Sequence, residues 1–451
     1  MAAEEDDPGP PPTPPDTAEI RALPGHRAER VTSLSFPGEA YVLEAGPETG
    51  PPVLLIHGIA RDGAHDWDEL IPVLAKHRRV IAMDLPGFGR SSKEPAQYRP
   101  MTYANFIDEL IDARVPGDFD LVAHSMGASI AFEVAARHPD RVKHLIVADA
   151  AAILHGQAMS IGQIERSQEK LGAFGKLLNP VRNLSYDVMG GVPDDLVHRV
   201  ALGMKGVAAQ SAASALMAHD SNPALDAIRA PTLVIWGSRD EVASARGLWI
   251  LAYRIPGSRR VVIEGAAHTP MLDAPRAFND LVERFLSGDT SVGEALGPAE
   301  IPSTRDAACK RHNGSMEFSG GYRKITIDHC TDILLRGVRA QQIELIGSTV
   351  VAEDVIVRGG EVGISLLKSR LKLSGATITA AVPLRLTGSE VDFAGVNFVG
   401  TQTAVAAEGD AKLLCSLCRF EVGEETERFH GFHEMKRGSH FGPSEIHAAR
   451  P

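Results

Sequence analysis

A serine, a histidine and an aspartate that together could attack a carbonyl stand at positions 125, 268 and 240 of this chain. A serine hydroxyl is a poor nucleophile at neutral pH until a base takes its proton. Imidazole titrates near neutrality, so it can take that proton and later return it, while a carboxylate holds the ring in the required tautomer. Ser125 sits in Ala123-His124-Ser125-Met126-Gly127, directly after an apolar run and before a segment of alanines and apolar residues that reads as a helix. The pattern suggests a nucleophile elbow, in which a buried strand stops, the serine takes a strained backbone conformation and the next residue opens a helix. Small residues two positions either side allow that close approach. Here they are Ala123 and Gly127, one methyl group away from the commoner G-x-S-x-G.

Such a serine needs a sheet to carry it. Six β-rich apolar runs occur at residues 52–57, 79–84, 120–125, 144–149, 232–236 and 260–264. Helix-spaced segments at 67–76 and 103–113 lie between some of them, and 273–286 ends the series with Phe278, Leu281, Val282 and Phe285 on one stripe. A hairpin is expected around Pro37-Gly38. Continuously apolar strands imply a parallel sheet covered on both faces, where chemistry collects beyond the carboxyl ends of the strands. The first run ends in His57-Gly58-Ile59-Ala60, the third in Ser125 and the fifth in Trp236-Gly-Ser-Arg-Asp240; the sixth leads through Gly265-Ala-Ala to His268. Residues from about 152 to 225 break the alternation and read as a helical cap. Its Met159, Met189, Met204 and Met217 are read as packing residues ahead of an apolar substrate channel.

His57-Gly58, Asp84-Leu-Pro-Gly-Phe-Gly-Arg-Ser91, Ala123-His-Ser-Met-Gly127, Trp236-Gly-Ser-Arg-Asp240 and Gly265-Ala-Ala-His-Thr-Pro270 resemble, in order, the motif series of the α/β-hydrolase superfamily, over residues from about 30 to 290. On this reading Ser125 is the nucleophile, His268 the general base and later acid, and Asp240 the residue that orients it. The backbone amides of Ile59 and Met126 form the oxyanion hole. Asp149 also follows a strand, but Asp240 is preferred because it lies one strand before the histidine. His57 and His124 are assigned to backbone geometry, and Asp84 to its Pro-Gly-Phe-Gly turn. A serine nucleophile disfavours the superfamily's dehalogenases and epoxide hydrolases, which resemble one another in using aspartate there. The expected activity is lipase- or esterase-like hydrolysis of a small-molecule carboxylic ester or thioester through an acyl-enzyme. Carbon–carbon bond hydrolysis of diketone-like substrates by the same triad is an alternative. No cofactor and no metal is expected.

Beyond a linker at 291–319 the period changes. From about 320 to 422 apolar columns recur every 20 to 22 residues or so, the signature of a solenoid. Strand-like pairs in each repeat make it resemble a right-handed parallel β-helix of about five coils. The alignment bears on the zinc-finger-like set Cys415, Cys418, His430 and His433. Cys415 falls in the column of Ala352, Leu373 and Phe393, and Cys418 in that of Val355, Ala376 and Val396, so both read as core residues. Cys330 is placed in the first of these columns. Glu353, Asp354, Glu390 and Asp392 read as outward positions, too sparse for a polysaccharide-cleaving face. This domain is therefore read as a binding or oligomerising surface, with self-association or glycan or protein contact as its possible roles. A scaffold or carbohydrate-binding protein with an inactive hydrolase domain is the second alternative.

The whole is 451 residues, an α/β domain at 29–290 followed by an all-β domain at 320–425, with residues 1–28 a disordered acidic, proline-rich arm and 426–451 a tail that partly caps the solenoid. A net charge of −12 without a basic stripe argues against a nucleic-acid partner or an anionic membrane surface. The four cysteines are too few for a disulfide scaffold, no run of apolar residues is long enough to span a membrane, and a cytoplasmic location is expected.

Overall fold

A computed structural model describes residues 13–59, 62–151, 153–154, 206–299 and 303–449. Its first sheet has eight strands: β1 (Arg27–Thr32), β2 (Glu39–Ala45), β3 (Pro52–Ile56), β4 (Arg79–Asp84), β5 (Phe119–His124), β6 (Val142–Ala148), β7 (Thr232–Gly237) and β8 (Arg259–Ile263), in the spatial order 1-2-4-3-5-6-7-8. The six apolar runs are the parallel strands β3 to β8, and the hairpin β1–β2 adds an antiparallel edge through the pairing of β2 with β4. Alternate residues of a strand enter different cores. Leu54, Ile56, Leu121 and Ala123 join the core on one face, and Val53, Leu55 and Val122 that on the other. That is why these strands are apolar throughout rather than alternating.

The α-helices among the described residues are α1 (Ala18–Arg21), α2 (Ile71–Leu74), α3 (Pro100–Arg114), α4 (Met126–Arg137), α5 (Val207–Met217), α6 (Asn222–Ala227), α7 (Arg246–Arg254), α8 (Pro270–Asp273), α9 (Pro275–Leu286) and α10 (Pro443–Ala449). Helices α3 and α4 cover one face of the sheet, and α2 and α9 the other, with Phe278, Val282 and Phe285 of α9 in the second core. The cap expected at 152–225 lies mostly outside the described residues, as do Met159, Met189 and Met204; its end is α5 and α6, where Met217 is half-buried.

The second sheet is all-β, with twelve strands: β9 (Asp306–Lys310), β10 (Asn313–Asp328), β11 (Thr331–Ile346), β12 (Thr349–Arg358), β13 (Val362–Leu367), β14 (Arg370–Ala380), β15 (Val382–Thr387), β16 (Glu390–Gly400), β17 (Val405–Ala407), β18 (Ala411–Val422), β19 (Glu425–Met435) and β20 (His440–Phe441). Ala352, Leu373, Phe393 and Cys415 are parallel neighbours in register, which is the column read from the sequence. At one place in successive strands the backbone turns left-handed, at Gly337, Asp354, Gly375, Gly395 and Leu417.

Several sequence expectations need correction. Of the arm expected at 1–28, residues 1–12 lie outside the described residues and the rest is anchored: Ile20 of α1 is in the core, and buried Asp16 accepts hydrogen bonds from Tyr41 and His26 and pairs with Arg90. The linker at 291–319 is shorter than expected, because β9 and β10 begin within it. The tail expected at 426–451 is built into the fold over its described residues, 426–449, with β19 and β20 pairing antiparallel to β18 and β17 and Phe441 and Ile446 in the second domain's core. Cys330 is not in the expected column. It precedes β11 and forms a disulfide with Cys309, 21 residues away, so the thiols meet one repeat apart. No helix among the described residues is long and apolar enough to cross a membrane.

The two sheets share an interface rather than standing apart on a tether. Helix α7 packs into the line of left-handed residues, and Ala394, Leu414 and Leu417 join the same core as Leu248, Ile250 and Leu251. A Cβ on Gly395 would stand 2.6 Å from the Ile250 Cα, and one on Gly375 2.7 Å from the Tyr253 ring. Asp354 and Asp392, read as outward positions, are buried against this helix. Tyr253 donates to Asp354, and Arg246 makes a two-pronged ion pair with Asp392 and donates to Ser374.

Candidate active site

Ser125 ends β5 with φ 53° and ψ −118°, a left-handed conformation that a non-glycine residue adopts only at a cost of about 1–2 kcal/mol. The turn is held by its own backbone: Ser125 N–H donates to Ala148 O at 3.0 Å, and its carbonyl accepts from Ala128 and Ala151. Gly127 makes the close approach possible, since a Cβ there would lie 2.3 Å from Ile56 O and 2.6 Å from His57 O. Gly58 faces the serine itself, with its hypothetical Cβ 2.7 Å from the Ser125 Cβ. Strand β3 has β4 on one side and β5 on the other, so His57-Gly58 and Ser125 flank the crevice where the strand order reverses.

The loop after β8 brings His268 to this crevice. Its Nε2 is 3.0 Å from Ser125 Oγ, and its Nδ1 is 2.9 Å from Asp240 Oδ2. The other Asp240 oxygen accepts from the N–H groups of Val242 at 2.7 Å and Ala243 at 2.9 Å. Burial works to raise the Asp240 carboxyl, but the bonds from His268 and Ala243 and contact with Asp149 outweigh it and hold it below the ordinary value. With Asp240 ionised, His268 carries its proton on Nδ1 and turns the Nε2 lone pair toward the serine hydroxyl. Met126 N–H lies in the first turn of α4, where no earlier residue of the helix can accept from it. Ile59 follows Gly58 and is partly buried against the first core.

The neighbouring histidines have other tasks. Buried His57 accepts from Leu85 N–H through Nε2 at 2.8 Å, so its proton is on Nδ1, which donates to Gly58 O at 2.7 Å. It staples the Gly58 loop to the end of β4, and burial lowers its pKa. His124 donates through Nε2 to the His268 carbonyl at 2.7 Å. Burial and then the neighbouring His268 push it down to about 3. Asp84 accepts from the N–H groups of Ala64 and Arg90, tying together the two loops beside the crevice.

Two further carboxyls lie here, Asp66, which the sequence reading did not single out, and Asp149, which it set aside in favour of Asp240. Asp66, whose Oδ2 lies 4.0 Å from His124 Nδ1, is pushed up to about 7 by burial and then by Asp62. Asp149 lies against Asp240, and one ligating atom each from Asp149, Asp240 and His268 lie within 4.8 Å of one another. The sequence showed Asp149 at a strand end but could not show its distance from Asp240. That is the group with metal-ligand spacing among the described residues. Its His268 and Asp240 atoms are already bonded to each other, and Asp149 Oδ1 accepts from Gly237 N–H at 2.9 Å. The zinc-finger-like set does not converge: Cys415 and Cys418 are buried free thiols, His430 Nδ1 accepts from Leu417 N–H, and the His433 ring packs at a tilt against Phe441.

Residues 51–180 and 197–275 match the family model described as alpha/beta hydrolase fold. Among curated proteins, the chain is 31% identical over 251 residues to a pimeloyl-[acyl-carrier protein] methyl ester esterase of Neisseria meningitidis serogroup B, covering 54% of this chain and 95% of that one. It is 28% identical over 289 residues to an uncharacterized protein of Mycobacterium tuberculosis, covering 59% and 82%. The solved structure of a thermophilic esterase from Thermogutta terrifontis is similar at 25% identity and a TM-score of 0.43, covering 58% of this chain and 99% of that one. This chain belongs to the alpha/beta hydrolase fold family, and it is a hydrolase.

Proposed function

We propose that the chain hydrolyses carboxylic esters or thioesters through an acyl-enzyme on Ser125, with His268 as general base and acid and Asp240 as the residue that orients it. The observation that supports this best is the hydrogen-bonded chain itself, Ser125 Oγ to His268 Nε2 at 3.0 Å and His268 Nδ1 to Asp240 Oδ2 at 2.9 Å. His268 takes the hydroxyl proton as Ser125 Oγ bonds to the carbonyl carbon, and the carbonyl oxygen becomes an oxyanion. The amides of Met126 and Ile59 are assigned to that oxyanion, and each such donor contributes about 3 kcal/mol where one has been removed by mutation. His268 then protonates the leaving alcohol or thiol. Water, deprotonated by the same ring, frees the acid and restores the serine.

The methyl ester esterase relatives favour an ester of an acyl chain over the thioester and carbon–carbon alternatives. The second domain, with its in-register parallel ladders, is read as a parallel β-helix whose far end is covered by β19 and the residues after it to 449. Its packing on α7 supports a part in the enzyme's stability rather than the independent accessory or scaffold role. A fluorophosphonate probe tests the reading. Labelling that disappears in Ser125→Ala, together with turnover of activated acyl esters, is the expected result. An unlabelled wild-type protein would sink it, and preferential turnover of acyl thioesters or a vinylogous diketone would reassign the substrate.

A further inference from the structure

Asp149 is fully buried, at 0% exposure, at the end of β6, with a left-handed φ of 45°. One carboxyl oxygen accepts from Gly237 N–H at 2.9 Å. The other, Oδ2, is buried and meets no N–H or O–H donor among the described residues, and the carboxyl of Asp240 lies beside this one, an oxygen of each within 4.8 Å. Asp240 in turn is committed to accepting, from Val242, Ala243 and His268. Two carboxylates facing one another in a site closed to water cannot both be ionised, because neither can donate and their charges repel. A proton between them satisfies both: one becomes a donor and the other remains the charged acceptor that His268 requires.

We propose that Asp149 is a positioning residue, a neutral carboxylic acid that donates a hydrogen bond from Oδ2 to the ionised Asp240 and so fixes the carboxylate that orients His268. The proposal rests on the reading of Asp240 given above. Asp149, rather than Asp240, keeps the proton because of what each carboxyl meets among the described residues: Asp240 has two backbone donors and the imidazole, while Asp149 has Gly237 alone. The charged and titratable groups around Asp149 are Asp240, His268 and, farther off, Asp273, whose Oδ2 is held by Ala267 N–H. In agreement, burial first and then the bond with Asp240 push Asp149 up to about 9, whereas Asp240 is lowered. The donor also tempers the basicity of Asp240. Removing it leaves a more strongly basic carboxylate against the imidazole and stabilises the imidazolium, which raises the pH at which activity appears.

Asp149→Asn and Asp149→Ala separate this role from simple packing. The amide of Asn can donate to Asp240 and accept from Gly237 N–H, and Asn tolerates the left-handed backbone. The Asn variant is expected to keep kcat and the acid limb of the kcat/KM profile, and to lose any fall in activity that the wild type shows near pH 9. The Ala variant is expected to lose kcat by about tenfold or more, the worth of a hydrogen bond to a charged group, with its acid limb moved to higher pH. Equal profiles for the two variants would overturn the proposal. Infrared difference spectra of wild type against the folded Asn variant read the proton directly. A protonated-carboxyl C=O band at neutral pH that is absent in the variant is expected, and no such band means Asp149 is ionised and the proposal wrong. The spectrum does not depend on turnover, so it stands even if Ser125 fails to label.

Discussion

Arg246→Met tests whether the two sheets are one folding unit. The guanidinium donates to both carboxyl oxygens of Asp392, at 2.7 and 3.0 Å, and to Ser374 Oγ at 2.8 Å. The Asp392 side chain is at 0% exposure, so it cannot turn to water when its partner is removed. Breaking one partner of such a buried pair costs about 3–5 kcal/mol, because the remaining charge is left uncompensated. Replacing both partners with apolar side chains of similar size is often close to neutral. The expected result is therefore a large loss in Arg246→Met and recovery of most of it in Arg246→Met with Asp392→Leu. Urea unfolding followed by tryptophan fluorescence suits the question, since Trp249 lies on α7 and stacks with Arg260 near the same interface. A single variant that costs less than about 1 kcal/mol would place the pair among weakly coupled surface bridges. A double variant no more stable than the single would show that packing, not the unpaired charge, is what was lost. Either result refutes the reasoning.

Gly58→Ala sets a methyl group 2.7 Å from the Ser125 Cβ, so activity is expected to fall sharply while circular dichroism and the unfolding midpoint change little; unaltered turnover would mean the loop can move aside. Reducing Cys309–Cys330, which closes 21 residues, is expected to cost about 3 kcal/mol. Thiol titration should find Cys415 and Cys418 unreactive until the protein unfolds. Stability should also depend on pH through Asp149. Its folded value is raised to about 9 from the ordinary 3.8, so between these values the folded protein holds a proton that the unfolded chain has released, and stability falls as pH rises. Asp149→Asn should flatten that fall in urea midpoints measured across the range. Asp240 works in the opposite sense: its lowered value stabilises the fold above the ordinary carboxylate range and is lost as pH falls through it.

Much of the fold was legible because it depends on periodicity. Continuous apolar runs mark β3 to β8, and a repeat of about 20 residues places Ala352, Leu373, Phe393 and Cys415 in one column, where the strands pair in register. Ser125, Asp240 and His268 stood out because each follows a strand, and a parallel sheet gathers its strand ends at one edge. The anchoring of the arm, the linker and the tail is not legible in the sequence, because acidic, polar or glycine-rich stretches do not reveal the few residues, such as Asp16, Ile20 and Phe441, that hold them.

What periodicity could not supply was partnership between distant charges. Asp354 and Asp392 sit at positions whose alternation points away from their own core, and a sequence reading takes such residues as solvated. A second surface covers them, and Arg246, 146 positions before Asp392, turns an outward carboxylate into a buried one. Asp149 and Asp240 likewise look like rival acids along the chain. Tertiary packing brings their oxygens together out of reach of water, and only then does the energetic cost of two adjacent charges decide which of them keeps a proton.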